Sequence, residues 1–373
     1  MANNDVAVLD FGSSKLTLLV GHHTVNNNFA ITAYSDIEYS GFMNGEFIEE
    51  EEMFEKIRLA IDEVYNVIKQ PIKKLYVGVP SEFLQVENIT LTKGFARQTR
   101  LTKKVIDQLF VDADKHIVSS THSVINITPL KYVLDDTNDT YSPVDCYCRK
   151  IDVDTCFIQA DNVFLSLVGR VINDLKIKDI EFVSSILAEG QYLLNEDVRN
   201  AGALLVDVGY LTTSVAYFNG EGIVELKSFS MGGAQITAEL CEKMQLPFSI
   251  AEQVKQKLLI TIRPTGLDCY EAYKGNRVEK VPALQANEIA LEVIEEIING
   301  IYNSVEEFDR APQDVQTIYL TGGGLSYLKG IEFYMTRLLD KDVKVVMPKP
   351  LKFKKPDLSS VIGLLDVAIK MEQ

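Results

Sequence analysis

Two segments of this chain share one design. Val6-Ala7-Val8-Leu9-Asp10-Phe11-Gly12-Ser13-Ser14-Lys15 comes early, and Ala203-Leu204-Leu205-Val206-Asp207-Val208-Gly209-Tyr210-Leu211-Thr212-Thr213-Ser214 comes past the midpoint. In each, an apolar run ends in Asp-x-Gly, hydroxyl residues follow, and a second apolar run begins. An apolar run of about four or five residues bounded by a turn reads as a buried strand. Each segment therefore predicts a β-hairpin. One such hairpin constrains little, because Asp-x-Gly is an ordinary turn. Two of them predict a chain of two similar halves that can close on a ligand from opposite sides.

The residue types say which ligand. An aspartate at a strand end can hold Mg²⁺ or its water shell, since magnesium keeps several waters and takes few carboxylates. Glycine in the turn lets backbone approach a phosphate. The turn amides form an anion nest, and Ser13, Ser14, Thr212 and Thr213 add hydroxyl donors. Lys15 can neutralise phosphate charge. Asp10 and Asp207 are the expected cation partners.

A third element, Val315-Gln316-Thr317-Ile318-Tyr319-Leu320-Thr321-Gly322-Gly323-Gly324-Leu325-Ser326, predicts a strand, a triple-glycine turn and a helix over about 327–339. A helix N-terminus after glycines favours anions. Gly322, Gly323 and Gly324 would present a flat backbone surface to an adenine ring.

In this order the three segments resemble the phosphate-1, phosphate-2 and adenosine motifs of the actin/Hsp70/sugar-kinase ATPase superfamily. Other segments narrow the resemblance to the bacterial cell-division FtsA family. Gly41-Phe42-Met43-Asn44-Gly45-Glu46-Phe47-Ile48 is similar to its glycine-bracketed helix entry. Ser123 to Asp135, with Ile127-Thr128-Pro129 and Tyr132-Val133-Leu134-Asp135, is similar to one of its strands. Ser230-Met231-Gly232-Gly233-Ala234-Gln235-Ile236-Thr237 is similar to its Pro-x-Gly-Gly-x-x-Ile-Thr, and Ala251-Glu252-Gln253-Val254-Lys255 to its Ala-Glu-x-x-Lys. The likeness runs from about Val6 to about Ala368.

The resemblance implies an actin-like ATPase fold: α/β, with two lobes, each built on a ribonuclease H-like sheet, and an FtsA-type inserted α+β subdomain. Residues 1–80 and 161–202 would form the first lobe, and 81–160 the insertion. Residues 203–245 and 313–373 would form the second lobe, and 246–312, read as mostly helical, its upper subdomain. A helix over Lys103–Ile117 is expected inside the insertion, and a closing helix over Leu358–Ile369. ATP with Mg²⁺ is the implied ligand pair. Gly233, Glu252 and Lys255 join the nucleotide-binding set by resemblance alone, the last two near the ribose.

Departures from the family pattern bear on chemistry. Tyr210 and Leu211 stand where two glycines are usual, and Ser214 where an acid is. Ser185-Ile186 stands where Glu-Pro is common before Leu187-Ala188. Glu189 is near but receives no catalytic role. No general base, which needs a carboxylate within reach of the attacking water, can be named. Slow or absent hydrolysis follows.

Composition limits the rest. With 373 residues, 46% of them hydrophobic, the chain can bury the cores of two or more domains. A net charge of −16 argues against nucleic acid as the main partner. Five cysteines, an odd set, read as reduced cytoplasmic thiols. The sequence has no charged start followed by an apolar stretch of signal-peptide type, and no apolar run of membrane-spanning length. Lys349, Lys352, Lys354 and Lys355 read as a solvated basic loop. A lysine near anionic lipid contributes about 1 kcal/mol, so membrane contact would be peripheral, through a partner or a further amphipathic helix. The resemblance implies self-association into filaments through the insertion. It also implies reception of an FtsZ-like C-terminal peptide by the upper second lobe, at the inner face of the membrane at the division site. A PilM-like component of a pilus or secretion machine is the alternative, and a small-molecule kinase of the same superfamily the third class.

Overall fold

The computed structural model describes residues 5–24, 29–111, 113–310, 315–349 and 353–373. The chain opens with β1 (Val6–Phe11), β2 (Lys15–His23) and β3 (Phe29–Glu38), then a short hairpin of β4 (Phe42–Met43) and β5 (Glu46–Phe47). Helix α1 (Glu50–Ile68) follows, with Glu50, Glu51 and Glu52 in its first turn, where carboxylates oppose the positive end of the dipole. Its Met53, Ile57, Ala60 and Val64 recur at three- and four-residue spacing and are buried. Strand β6 (Lys74–Val79) returns to the sheet.

The insertion contains β7 (Leu84–Arg100), α2 (Lys103–Phe110), β8 (His122–Leu134), β9 (Asn138–Thr140) and β10 (Tyr147–Asp161). Its helix is shorter than expected. It stops at Phe110 because Val111 takes an extended conformation, and a 3₁₀ turn (Ala113–His116) replaces the rest. Helix α3 (Asn162–Asp174), β11 (Asp179–Ser184), α4 (Ser185–Leu193) and α5 (Glu196–Asn200) come next.

The second half runs β12 (Ala203–Val208), β13 (Thr213–Asn219), β14 (Gly222–Phe229), α6 (Gly233–Met244) and α7 (Phe248–Lys255). A hairpin of β15 (Cys269–Lys274) and β16 (Arg277–Pro282) then corrects the mostly helical expectation for 246–312. Helix α8 (Ala283–Glu306), β17 (Thr317–Thr321), α9 (Ile331–Leu339), β18 (Asp342–Val345) and α10 (Ser359–Met371) finish the chain.

The strand orders β11-β6-β1-β2-β3 and β14-β13-β12-β17-β18 are one topology used twice. In each sheet the hairpin strands pair antiparallel, and the central strand pairs parallel on its other side, β1 with β6 and β12 with β17. The register places Asp10 opposite Thr17 and Asp207 opposite Ser214. One core fills the space between the first sheet, α1 and α3. Another lies between the second sheet and α6, α7 and α8. The opposite face of the first sheet is covered by α10, whose Val361, Leu364 and Leu365 pack with Val8 and Leu19. The closing helix thus belongs with the first sheet, not with the second lobe that residues 313–373 were expected to complete. The insertion leans on the second sheet: Asn88 Nδ2 donates to the Val224 carbonyl at 2.7 Å, and Leu130, Cys156 and Ile158 share a cluster with Leu205, Ala216 and Ile223.

Candidate functional site

The two hairpin turns close in the same way. The Gly12 amide donates to the Lys15 carbonyl at 2.8 Å, and the Gly209 amide to the Thr212 carbonyl at 2.8 Å. They face one another across the space between the sheets and touch: the Leu211 amide donates to Ser13 Oγ at 3.0 Å. Above this contact is a cavity of about 670 Å³, within the range of small-molecule and cofactor sites. Asp10, Gly12, Ser13, Ser14 and Lys15 line it from one lobe, and Asp207, Gly209, Tyr210, Thr212 and Ser214 from the other.

The triple glycine crosses beneath the second hairpin. Gly322 has φ of +85°, and a Cβ there would fall inside the contact radius of Asp207 Oδ1. Gly324 donates its amide to the Val208 carbonyl at 2.7 Å and lies too close to the Gly209 carbonyl for any side chain. These two positions need glycine because backbone meets backbone there. The expected helix at 327 is displaced. Residues 322–330 form turns, and α9 starts only at Ile331 after Gly330 at φ of +93°, so no helix N-terminus follows the glycines directly.

Electrostatics single out the floor of the cavity. Burial pushes the Asp10 carboxyl up, against hydrogen bonds from Ser360, Ser185 and the Phe11 backbone; Ser185 Oγ donates at 2.8 Å. Burial, with Asp10 nearby, pushes Asp207 up to about 7. Burial pushes Glu189 well above the usual carboxylate range, with Asp207 and then Asp10 adding repulsion.

Other expected residues divide. Glu252 and Lys255 line the cavity and pair with each other at 2.8 Å, while Thr237 Oγ1 donates to Glu252 at 2.7 Å. Lys15 lines the cavity but pairs with Asp36 at 3.0 Å. Gly233 is behind the lining, its amide on the Gly209 carbonyl at 3.0 Å. Thr213 does not face the cavity. It is fully buried and donates to the Met231 carbonyl at 2.7 Å, because adjacent strand residues point to opposite faces. The ring of Tyr210 lies 5.4 Å from Lys255 Nζ and intrudes on the lining, whereas Leu211 contributes its amide rather than its side chain.

Three groups were not assigned to the cleft from the sequence. Glu189 reaches the floor from α4, one turn beyond Ser185. Lys355 and Asp357, just before α10, line the cavity, Asp357 opposite Gly323, so Lys355 of the expected basic loop stands in a cleft wall, while Lys352 lies outside the described residues. Glu82 accepts from Ser230 Oγ at 3.0 Å and from the Gly45 amide at 3.2 Å, while Asn44 donates to Ser230 Oγ at 3.0 Å. That cluster ties the first lobe to the second at the cavity rim.

The residues fit a nucleotide and its cation. The lining combines turn amides, hydroxyls, bare glycine backbone and lysines, which are phosphate partners. Among the described residues no group of three His, Cys, Asp or Glu side chains could hold a metal directly. Paired aspartates suit a hydrated magnesium, which needs few direct carboxylates.

Comparisons with known proteins bear on the fold and on family likeness. A family model described as "Cell division protein FtsA" matches residues 204–363. Cell division protein FtsA of Bacillus subtilis (strain 168) is 22% identical over 384 residues, spanning 99% of this chain and 85% of that protein. The protein of the same name from Neisseria meningitidis serogroup B is 22% identical over 386 residues, 98% and 91% of the two chains. Over nearly its whole length the chain is similar to the cell-division FtsA proteins. Solved structures give the fold of this FtsA-like chain. A PilM–PilN type IV pilus biogenesis complex matches with TM-score 0.62 and 17% identity, over 98% of both chains. MreB5 of Spiroplasma citri bound to AMPPNP matches with TM-score 0.58 and 12% identity, over 100% and 98%. The fold is that of the actin-like ATPases. Among the described residues, no helix is long and apolar enough to cross a membrane.

Proposed function

We propose that the cleft binds ATP with Mg²⁺ and that the chain serves cell division as a nucleotide-gated adaptor. The single observation that carries the reading is the convergence of both Asp-x-Gly hairpins and the triple glycine on one cavity of about 670 Å³. Asp10 and Asp207 would hold the hydrated cation. The amides and hydroxyls of the two turns would hold phosphate oxygens, with Lys15 and Lys255 supplying positive charge. Gly322, Gly323 and Gly324 would meet the adenosine end, with Glu252 toward the ribose. When bound, the cation neutralises phosphate charge and polarises the terminal phosphate. Hydrolysis is slow or absent, because Ser185 and Ser214 supply no carboxylate and Ser185 is already bonded to Asp10.

In this role the chain self-associates through the insertion and receives an FtsZ-like C-terminal peptide on the upper second lobe. It works in the cytoplasm at the inner face of the membrane at the division site. The FtsA relatives support this assignment. A fold neighbour crystallised with AMPPNP supports the ligand class. The test is peptide binding, with and without ATP, using an FtsZ-tail peptide and a PilN-type peptide. ATP-dependent binding of the first alone is expected; capture of the second alone would replace the division role with a pilus role.

A further inference from the structure

The floor of the cleft holds one more carboxyl group than the two aspartates. Glu189 is 1% exposed, and its Oε2 has no hydrogen-bond partner among the described residues. It lines the same cavity as Asp10 and Asp207, all three carboxylates being buried or nearly so. Two of the lining lysines are engaged elsewhere, Lys15 with Asp36 and Lys255 with Glu252. A buried carboxylate without a partner is costly, and a charged one far more so. The helix holding it cannot relax. Gly363 of α10 packs directly on the Ala188 and Glu189 backbone, and Gly190 lies under the ring of Phe218. The fold therefore fixes an acceptor, Glu189 Oε2, in the cleft floor, and no described residue donates a hydrogen bond to it.

We propose that Glu189 is a third carboxylate for a hydrated divalent cation, and that the floor binds this cation even before a nucleotide arrives. The three acids do not converge into a direct three-ligand site, so Glu189 accepts from a water of the cation's shell. Magnesium and manganese retain such waters, and partners outside the direct ligands commonly govern affinity by about 10–100-fold. Glu189 is a positioning residue here. The inference deepens the reading of the cleft given above but needs no nucleotide.

The test uses the nucleotide-free full chain and Mn²⁺ alone, with free Mn²⁺ counted by electron paramagnetic resonance. Wild type is expected to bind one Mn²⁺, Glu189→Gln to bind at least about tenfold more weakly, and Glu189→Asp to recover part of the loss. Circular dichroism checks each fold, and the wild-type measurement stands even where a variant does not fold. Absence of Mn²⁺ binding in wild type, or Glu189→Gln affinity within about twofold of wild type, would overturn the proposal. ATP binding measured on the same samples separates the two ideas. Glu189-dependent Mn²⁺ binding without ATP binding sinks the adaptor reading and leaves this one standing. ATP binding with Mn²⁺ affinity indifferent to Glu189 does the reverse.

Discussion

The two Asp-x-Gly hairpins have the same strand pairing and the same glycine-amide closure, yet their surroundings differ. Around the first, hydroxyls converge: Ser185 donates to Asp10, and the Tyr39 hydroxyl donates to the Gly12 carbonyl at 2.8 Å. Around the second, Asp207 is repelled by Asp10, and only a residue without a side chain fits at Gly322 beside it. Its turn carries Tyr210 and Leu211 in place of small residues. The shared part is backbone, fixed by the Asp-x-Gly run and the sheet. The unshared part is the set of neighbours that satisfies or strains each carboxylate. The second hairpin is thus locked sterically and left electrostatically unrelieved, while the first is hydrogen-bonded on both sides.

The largest expected effect breaks the steric half of this comparison. Gly322→Val would drive a branched side chain into Asp207 Oδ1 at a left-handed φ. It should lower unfolding free energy by about 3 kcal/mol or more. Gly12→Ala, whose Cβ would meet the Lys15 carbonyl at 3.0 Å, should cost less. Denaturant unfolding of both variants checks the order; equal losses would remove the asymmetry.

Next comes the electrostatic half. The folded state raises Asp207 from 3.8 to about 7, so the native protein holds a proton that the unfolded chain has released. Without divalent cation, this group's contribution to stability is therefore lost as pH rises from about 4 through 7, and the loss is complete above the folded value. Asp207→Asn should flatten that slope, by a few kcal/mol across the window. Asp10→Asn should flatten it less, since hydroxyls already oppose the rise there. Thermal melts in chelator from pH 5 to 8 measure it.

A smaller effect sharpens how the hairpins are kept opposite one another. Ser230→Ala removes the second-lobe hydroxyl that accepts from the Asn44 amide and donates to Glu82 across the rim. The half-buried pair should cost about 1 kcal/mol and speed nucleotide release about fivefold. Stopped-flow release of a fluorescent ATP analogue reads this directly.

What the sequence disclosed follows the same division. Strand runs and Asp-x-Gly turns are local, so both sheets' hairpins were legible. Orientation and long-range neighbours were not. Thr212 and Thr213 both looked like donors, although strand alternation allows only one of them to face the cleft. The β15–β16 hairpin escaped because only Ala272 and Val281 are buried, leaving little apolar alternation; Gly275-Asn276 was the available signal. Helix α10 is apolar on most sides, which announces burial but not that its cover would be α4 and the first sheet. Glu189 gave no motif at all. Its place in the site comes from α4 carrying it to the cavity lined by two aspartates that are far apart in sequence.

The most direct test of the central claim is ATP affinity by calorimetry, with Mg²⁺ and with chelator, for wild type and Asp10→Ala. The account predicts Mg²⁺-dependent binding in wild type that weakens at least about tenfold in the variant. Wild type that binds no ATP in either condition would contradict it, and would mean that the ring of Tyr210 and the Ser13–Leu211 contact keep the cleft shut to nucleotide.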